Sequence, residues 1–257
     1  MSYQTFDPQA IQSNNNNNTN YAGVPTNVID DTDYPFGVPV SLGGIKTQME
    51  FLRKVYIILS TQVFVFLAIT SLLYYTDNGR DFILRHPWLW YISLVLTFIL
   101  LVALTYKAND QYQPPPLLVI LFTFLHGFLI GGVVTVLKLE SVLCALVIIL
   151  FVFLALIAYT YQSRYSFKSR QTVVYTFVIL TIVTALLIPL KFPMSEAMSA
   201  LVISSILSIF FVLDLYYFLQ NMSKNEYWAA VMQLHLDLIV PFRSIHHICE
   251  VTADEYE

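Results

Sequence analysis

Charge is what this chain most lacks. Of its 257 residues only 13 are Lys or Arg and 17 are Asp or Glu, 12% in all, against about 25% in an ordinary soluble domain. So few charges cannot coat the water-facing surface of a chain this size, which argues against a soluble globular protein. The formal net charge of −4 leaves no basic surface for nucleic acid. Two cysteines, Cys144 and Cys249, do not make a disulfide framework; both fall in apolar stretches and read as small packing residues. The chain has no Gly-rich phosphate loop, no Gly-x-Ser-x-Gly elbow and no His-Glu-x-x-His helix. Without a catalytic constellation it reads as a non-enzyme that needs no cofactor.

What fills the chain instead is apolar. Hydrophobic residues make up 57% of it and the mean hydropathy is +0.64. About 20 apolar residues cross a bilayer as a helix, and runs of that length are expected at roughly 54–75, 88–106, 117–137, 141–161, 171–190 and 199–220. Turn-like or charged separators divide them, among them Asp77-Asn78-Gly79-Arg80 and Lys138-Leu139-Glu140. Pro114-Pro115-Pro116 cannot continue a helix from upstream but suits the start of a new one. A seventh segment, 228–249, carries His235, Asp237, Pro241, Arg243, His246 and His247. It is poorly suited to face lipid on all sides, so it belongs inside the other helices or forms a re-entrant turn. The expected fold is an all-α integral membrane protein, a seven-helix bundle with a central last helix.

Residues 1–50 are polar, broken by Pro8, Pro25, Pro35 and Pro39, and include the run Asn14 to Asn18. Such a stretch buries too little apolar surface to offset ordering, so a disordered tail is expected. Its alternative reading is a partner-docking tail that uses Tyr34-Pro35 or the Asn run. The helical domain then covers 51–249, and 250–257 is a short acidic tail. No secretory signal peptide opens the chain, so the first apolar run would act as an internal insertion signal. With the N-terminus inside, Lys46, Arg53, Lys54, Lys107, Arg164, Lys168, Arg170 and Lys224 lie on the inner side. Arg80, Arg85, Lys138 and Lys191 lie outside. Eight against four predicts a cytoplasmic N-terminus.

Two carboxylates interrupt the apolar runs. Asp214 lies in the sixth run and Asp237 in the seventh, with only the polar turn Asn221-Met222-Ser223-Lys224-Asn225-Glu226 between the two runs. An ionisable group in hydrocarbon is costly and usually marks a functional site. At 1.5 Å per residue Asp214 lies about 9 Å and Asp237 about 13 Å from the shared turn, so a side-chain contact is feasible. Two close carboxylates in a dry site share a proton and titrate as one unit. Such a pair can latch two helices together or, on ionising, become a weak cation site. Calcium takes several oxygen ligands, so two aspartates would hold it only transiently, which suits permeation. The alternative is that each aspartate is structural.

Accessory residues follow. Glu226 is expected to complement the positive end of the last helix, with cation entry as its other reading. Arg243 lies six residues beyond Asp237 and either counters a helical carboxylate or reaches the interface. His235, two positions before Asp237, is turned from the same face and reads as a packing or hydrogen-bonded residue. His126 precedes Gly127, Gly131 and Gly132, which allow close helix packing; a pore-lining role is the alternative for His126. His246-His247 has no companion ligands for a metal site. Trp88, Trp90 and Trp228 fall near span ends, as interfacial anchors do. An intramembrane aspartyl protease would need Tyr-Asp and Gly-x-Gly-Asp, where this chain has Leu213-Asp214 and Leu236-Asp237.

Several stretches together resemble the Bax-inhibitor-motif membrane family, most closely its lifeguard branch. They are Phe51-Leu52-Arg53-Lys54-Val55-Tyr56 through Gln62, Pro116-Leu117-Leu118 through Phe122-Thr123, and Tyr161-Gln162-Ser163-Arg164-Tyr165-Ser166-Phe167. The most specific is the series Leu213-Asp214, Glu226-Tyr227 and Leu234-His235-Leu236-Asp237-Leu238-Ile239. The resemblance runs from about residue 46 to 249. His235 stands where the family usually has Tyr, and Leu215-Tyr216 where it often has Thr-Gln. The resemblance implies a pH-sensitive calcium leak channel of intracellular membranes (endoplasmic reticulum or Golgi), gated by the Asp214–Asp237 pair. It also implies suppression of cell death and cell-death regulatory membrane proteins as partners. The rival reading is a membrane-embedded interaction protein without flux of its own.

Overall fold

A computed structural model describes residues 39–76, 78–109, 114–162, 169–187, 194–239 and 249. Among them the chain forms a 3-10 turn, Val40–Leu42, and eight helices. These are α1 (Ile45–Tyr75), α2 (Gly79–Arg85), α3 (Pro87–Asn109), α4 (Pro116–Leu137), α5 (Glu140–Tyr159), α6 (Ser169–Leu187), α7 (Met194–Asn221) and α8 (Tyr227–Ile239). Five of them, α1, α3, α4, α5 and α7, are long and apolar enough to cross a membrane. The apolar part of α6, Gln171–Leu186, is shorter.

Helix α1 has 31 residues with neither Gly nor Pro, about 46 Å of helix against a hydrocarbon core of about 30 Å. It therefore starts at Ile45 rather than near 54. Its first turns carry Lys46, Glu50, Arg53 and Lys54 and belong outside the hydrocarbon, which is why an apolar-run criterion passes over them. The last residues of the segment read as tail are thus part of the bundle. Val40 is fully buried, and its N–H donates to the Met222 carbonyl at 2.8 Å.

Helix α2 was not expected from the sequence. Seven residues are too few to register as a span, and the helix begins at Gly79 because nothing larger fits there. A Cβ at Gly79 would lie 2.1 Å from the Leu73 carbonyl oxygen. Pro116 opens α4, where a missing N–H is harmless. The helix stops at Lys138, in the left-handed region at φ 54°, and the next N–H, of Leu139, donates back to the Val134 carbonyl.

Helix α1 is the packing centre, with α4 and α5 as its main partners; α5 then packs on α7, and α6 on α7. Tyr56, Phe153 and Phe211 link α1, α5 and α7 through ring contacts at 5.9 and 5.4 Å. Ile92, Val95, Phe98 and Ile99 of α3 are exposed, as a lipid-facing wall requires. The glycines of α4 permit the close approach to α1. A Cβ on Gly127 would fall 2.9 Å from Ile69 Cδ1, and one on Gly131 3.2 Å from the Thr70 backbone. The last helix is central, as expected: Ala229 to His235 are all buried, against α3 and α1 above all. Cys144 is buried in α5, and no disulfide joins it to Cys249.

Because a side chain at Gly131 would press on the Thr70 backbone as well as on the Leu73 side chain, Gly131→Leu is expected to destabilise the bundle by about 1–3 kcal/mol. Thermal unfolding in detergent checks this, with the exposed α4 position Leu121→Ala as a nearly neutral control.

Candidate functional site

The site is built on the α7–α8 hairpin. Asp214 lies seven residues before the end of α7 and Asp237 ten residues into α8, about 10 and 15 Å from the connection. Their depths differ by about one helical turn, as the spacing predicts. Both side chains are only 2% exposed. Phe211, Val212, Leu215 and Phe218 on α7, and Val231, Met232 and Leu234 on α8, are buried around them. Helix α8 nevertheless packs more on α3 and α1 than on α7. The two carboxylates are thus presented by helices that share an end more than a face.

What holds that end is a set of polar ties. The Glu226 carboxylate accepts the Ser223 N–H at 2.7 Å, and the Glu226 N–H donates to the Ser223 carbonyl at 3.0 Å. The two bonds close a tight turn immediately ahead of α8 and place the Glu226 carboxylate at that helix's start. Lys224 pairs with Glu50 of α1 at 3.3 Å, and the Lys54 ammonium lies 5.0 Å from the Tyr227 ring centroid. Arg53 donates to the Thr160 carbonyl at 2.8 Å and stacks 4.3 Å over Tyr161, fastening the end of α5 alongside. The start of α1, the end of α5 and the hairpin therefore meet at one end of the bundle. At the opposite end the Tyr74 hydroxyl donates to Glu140 at 2.7 Å.

His235 is 5% exposed and its Nδ1 lies 2.9 Å from the Val231 carbonyl, in keeping with a packed, hydrogen-bonded histidine. Its ring also meets Phe122 edge-on at 5.3 Å and His126 at 5.9 Å. His126 in turn stacks on Phe66 at 5.0 Å. The four rings join α1, α4 and α8. One turn from His126 along α4, the Gln62 amide donates to Thr123 Oγ1 at 3.4 Å, a polar link between α1 and α4. Neither the histidine contact nor the ties from Glu50 and Lys54 has a local signal, since the partners lie more than a hundred residues apart in sequence. Arg243, His246 and His247 lie outside the described residues. No group of three or more metal-ligating side chains occurs among the described residues.

Residues 48–254 match the family described as inhibitor of apoptosis-promoting Bax1. The chain is 29% identical over 216 residues to Bax inhibitor 1 of Schizosaccharomyces pombe, an alignment covering 82% of this chain and 79% of that one. To the Golgi anti-apoptotic protein of vaccinia virus (strain Lister) it is 29% identical over 228 residues, 86% and 94% of the two chains. To protein lifeguard 4 of Mus musculus it is 30% identical over 224 residues, 84% and 91%. No solved structure matches it.

The capping geometry distinguishes charge from hydrogen bonding at Glu226. Glu226→Ala is expected to cost about 1 kcal/mol of stability and to speed amide exchange at residues 223–227. Glu226→Gln, which keeps an acceptor oxygen, is expected to recover most of both.

Proposed function

The chain belongs to the Bax-inhibitor-motif family, in its lifeguard branch, and from that premise we propose that it is a pH-sensitive calcium leak pathway of an intracellular membrane that restrains cell death. Its relatives are named as a Bax inhibitor and as a Golgi anti-apoptotic protein, which supports both the death-suppressing role and an endomembrane setting. The observation that carries the mechanism is the burial of Asp214 and Asp237 at matching depth on the last two helices.

Protonated, two such carboxyl groups are tolerable in an apolar interior and hold α7 and α8 together through a shared proton. Ionised, they repel each other and attract a divalent cation. Proton occupancy thereby sets whether the path between the helices admits calcium. The limited contact between α7 and α8 favours this reading, because little packing has to break for the helices to part. Glu226 serves as the helix cap at the mouth of the hairpin. His126 and His235 pack the far side of α8. The N-terminus faces the cytoplasm, in line with the excess of Lys and Arg on that side.

Calcium efflux from proteoliposomes across a pH series tests the mechanism. Wild type is expected to leak calcium at a rate that varies with pH. Asp214→Asn and Asp237→Asn are each expected to change the rate and flatten the pH response. Wild-type flux in both variants at every pH would rule out the carboxylate gate.

A second reading, an interaction protein that works through its tail, draws support from the docking of Val40 on the same hairpin. It is separable by truncation. Removing residues 1–38 should leave proteoliposome flux intact if the bundle is the channel, and should abolish death suppression in cells if the tail recruits partners.

A further inference from the structure

At the end of the bundle opposite the hairpin, α2, α3 and α4 enclose a groove of about 310 Å³, within the range of small-molecule sites, about 300–1,000 Å³. Ile83, Leu84, Pro87, Val133, Val136 and Leu137 make its wall apolar. Trp90 and Gly132 lie side by side in it, and the groove is preformed there. The Trp90 indole N–H donates to the Leu129 carbonyl at 3.3 Å. A Cβ on Gly132 would come within 2.8 Å of Trp90 Cδ1, so the glycine is what lets the indole lie flat against α4.

Charge sits at the rim. Leu84 and Leu137 are each followed by a cation, Arg85 and Lys138, and both are exposed. Arg85 closes the last turn of α2, and Lys138 is the left-handed residue that ends α4. Among the described residues neither is paired with a carboxylate, whereas Lys224 at the other end pairs with Glu50. The third rim residue, Tyr91, is 62% exposed and offers a hydroxyl at the same level. An apolar trench whose lining residues Leu84 and Leu137 are each followed by an exposed cation is complementary to an amphiphile with an anionic head. We propose that this groove is a binding site for an anionic phospholipid, with an acyl chain along α3 and α4 and the headgroup phosphate on Arg85 and Lys138. Neutral lipids fill the trench equally well but gain nothing from the rim, so selection between headgroups rests on the two cations.

Trp90 makes the site observable. In the full-length Trp88→Phe/Trp228→Phe background, Trp90 is the only indole, and lipids brominated on the acyl chain quench it on contact. Brominated phosphatidylglycerol is expected to quench at a lower mole fraction than brominated phosphatidylcholine, with up to about a fivefold loss of that preference for each cation removed in Arg85→Gln and Lys138→Gln. Val136→Phe, which fills the trench, should weaken quenching by both lipids. Equal quenching by the two lipids in the parent, or a preference unchanged in the Arg85→Gln/Lys138→Gln double variant, overturns the proposal. If the tryptophan-depleted background does not fold, the wild-type melting temperature in mixed micelles replaces it. Phosphatidylglycerol should then raise Tm above phosphatidylcholine in wild type and not in the double variant, and an equal rise in both overturns the site.

Discussion

Burying two carboxylates in an apolar bundle is the constraint under which the rest of this structure is arranged. Asp214 and Asp237 occupy the two helices that close the bundle, each 2% exposed. An ionised group at the centre of a bilayer is costly enough that it is kept only inside a bundle, with partners or a water path. That requirement explains why α8, the helix least able to face lipid, is enclosed by α1 and α3. It also explains why the outward faces of α3 and α6 carry little but aliphatic and aromatic side chains. The exposed apolar surface that would be a liability in water is here the surface that meets the acyl chains.

The bundle is stiff where it holds the site and looser where the site would act. Gly127 and Gly131 on α4 bring that helix against α1 closely enough that even a methyl group would crowd Ile69, Leu73 or the Thr70 backbone. Aromatic contacts extend the same contiguous core through α5 to α7. The hairpin is pinned at its base by Glu226, by the Lys224–Glu50 pair and by the buried Val40 turn. Exposed ion pairs contribute little individually, so the buried turn and the helix cap carry most of that anchoring. Above the base, α7 and α8 have limited contact, so the two aspartates stand on helices that pack mainly against other partners.

The two ends of the molecule have different chemistry. The hairpin end gathers charged and aromatic side chains that pair with one another, as Arg53 does with Thr160 and Tyr161. The opposite end has the Tyr74–Glu140 hydrogen bond, and among the described residues Arg85 and Lys138 form no ion pair there. An unpaired cation at a membrane interface is readily satisfied by a phosphate headgroup, and this asymmetry distinguishes the lipid-facing groove from a simple surface dent.

Much of this was legible in the chain before any coordinates. Span positions, the abrupt start of α4 at Pro116, the close packing at Gly127 and Gly131, and the placing of the two aspartates within about a turn of each other in depth all follow from run length, backbone chemistry and rise per residue, which are local properties. The misses share a cause as well. Helix α1 begins nine residues before its apolar run because a helix can continue into water where hydropathy falls, and α2 is too short to leave a periodic signal. The contact of His126 with His235, the seat of Val40 on Met222 and the grip of Glu50 on Lys224 join residues more than a hundred positions apart. No spacing rule reaches that far. Such contacts exist only once the helices have chosen which faces to turn to one another, and that choice is made by the summed packing of the whole bundle.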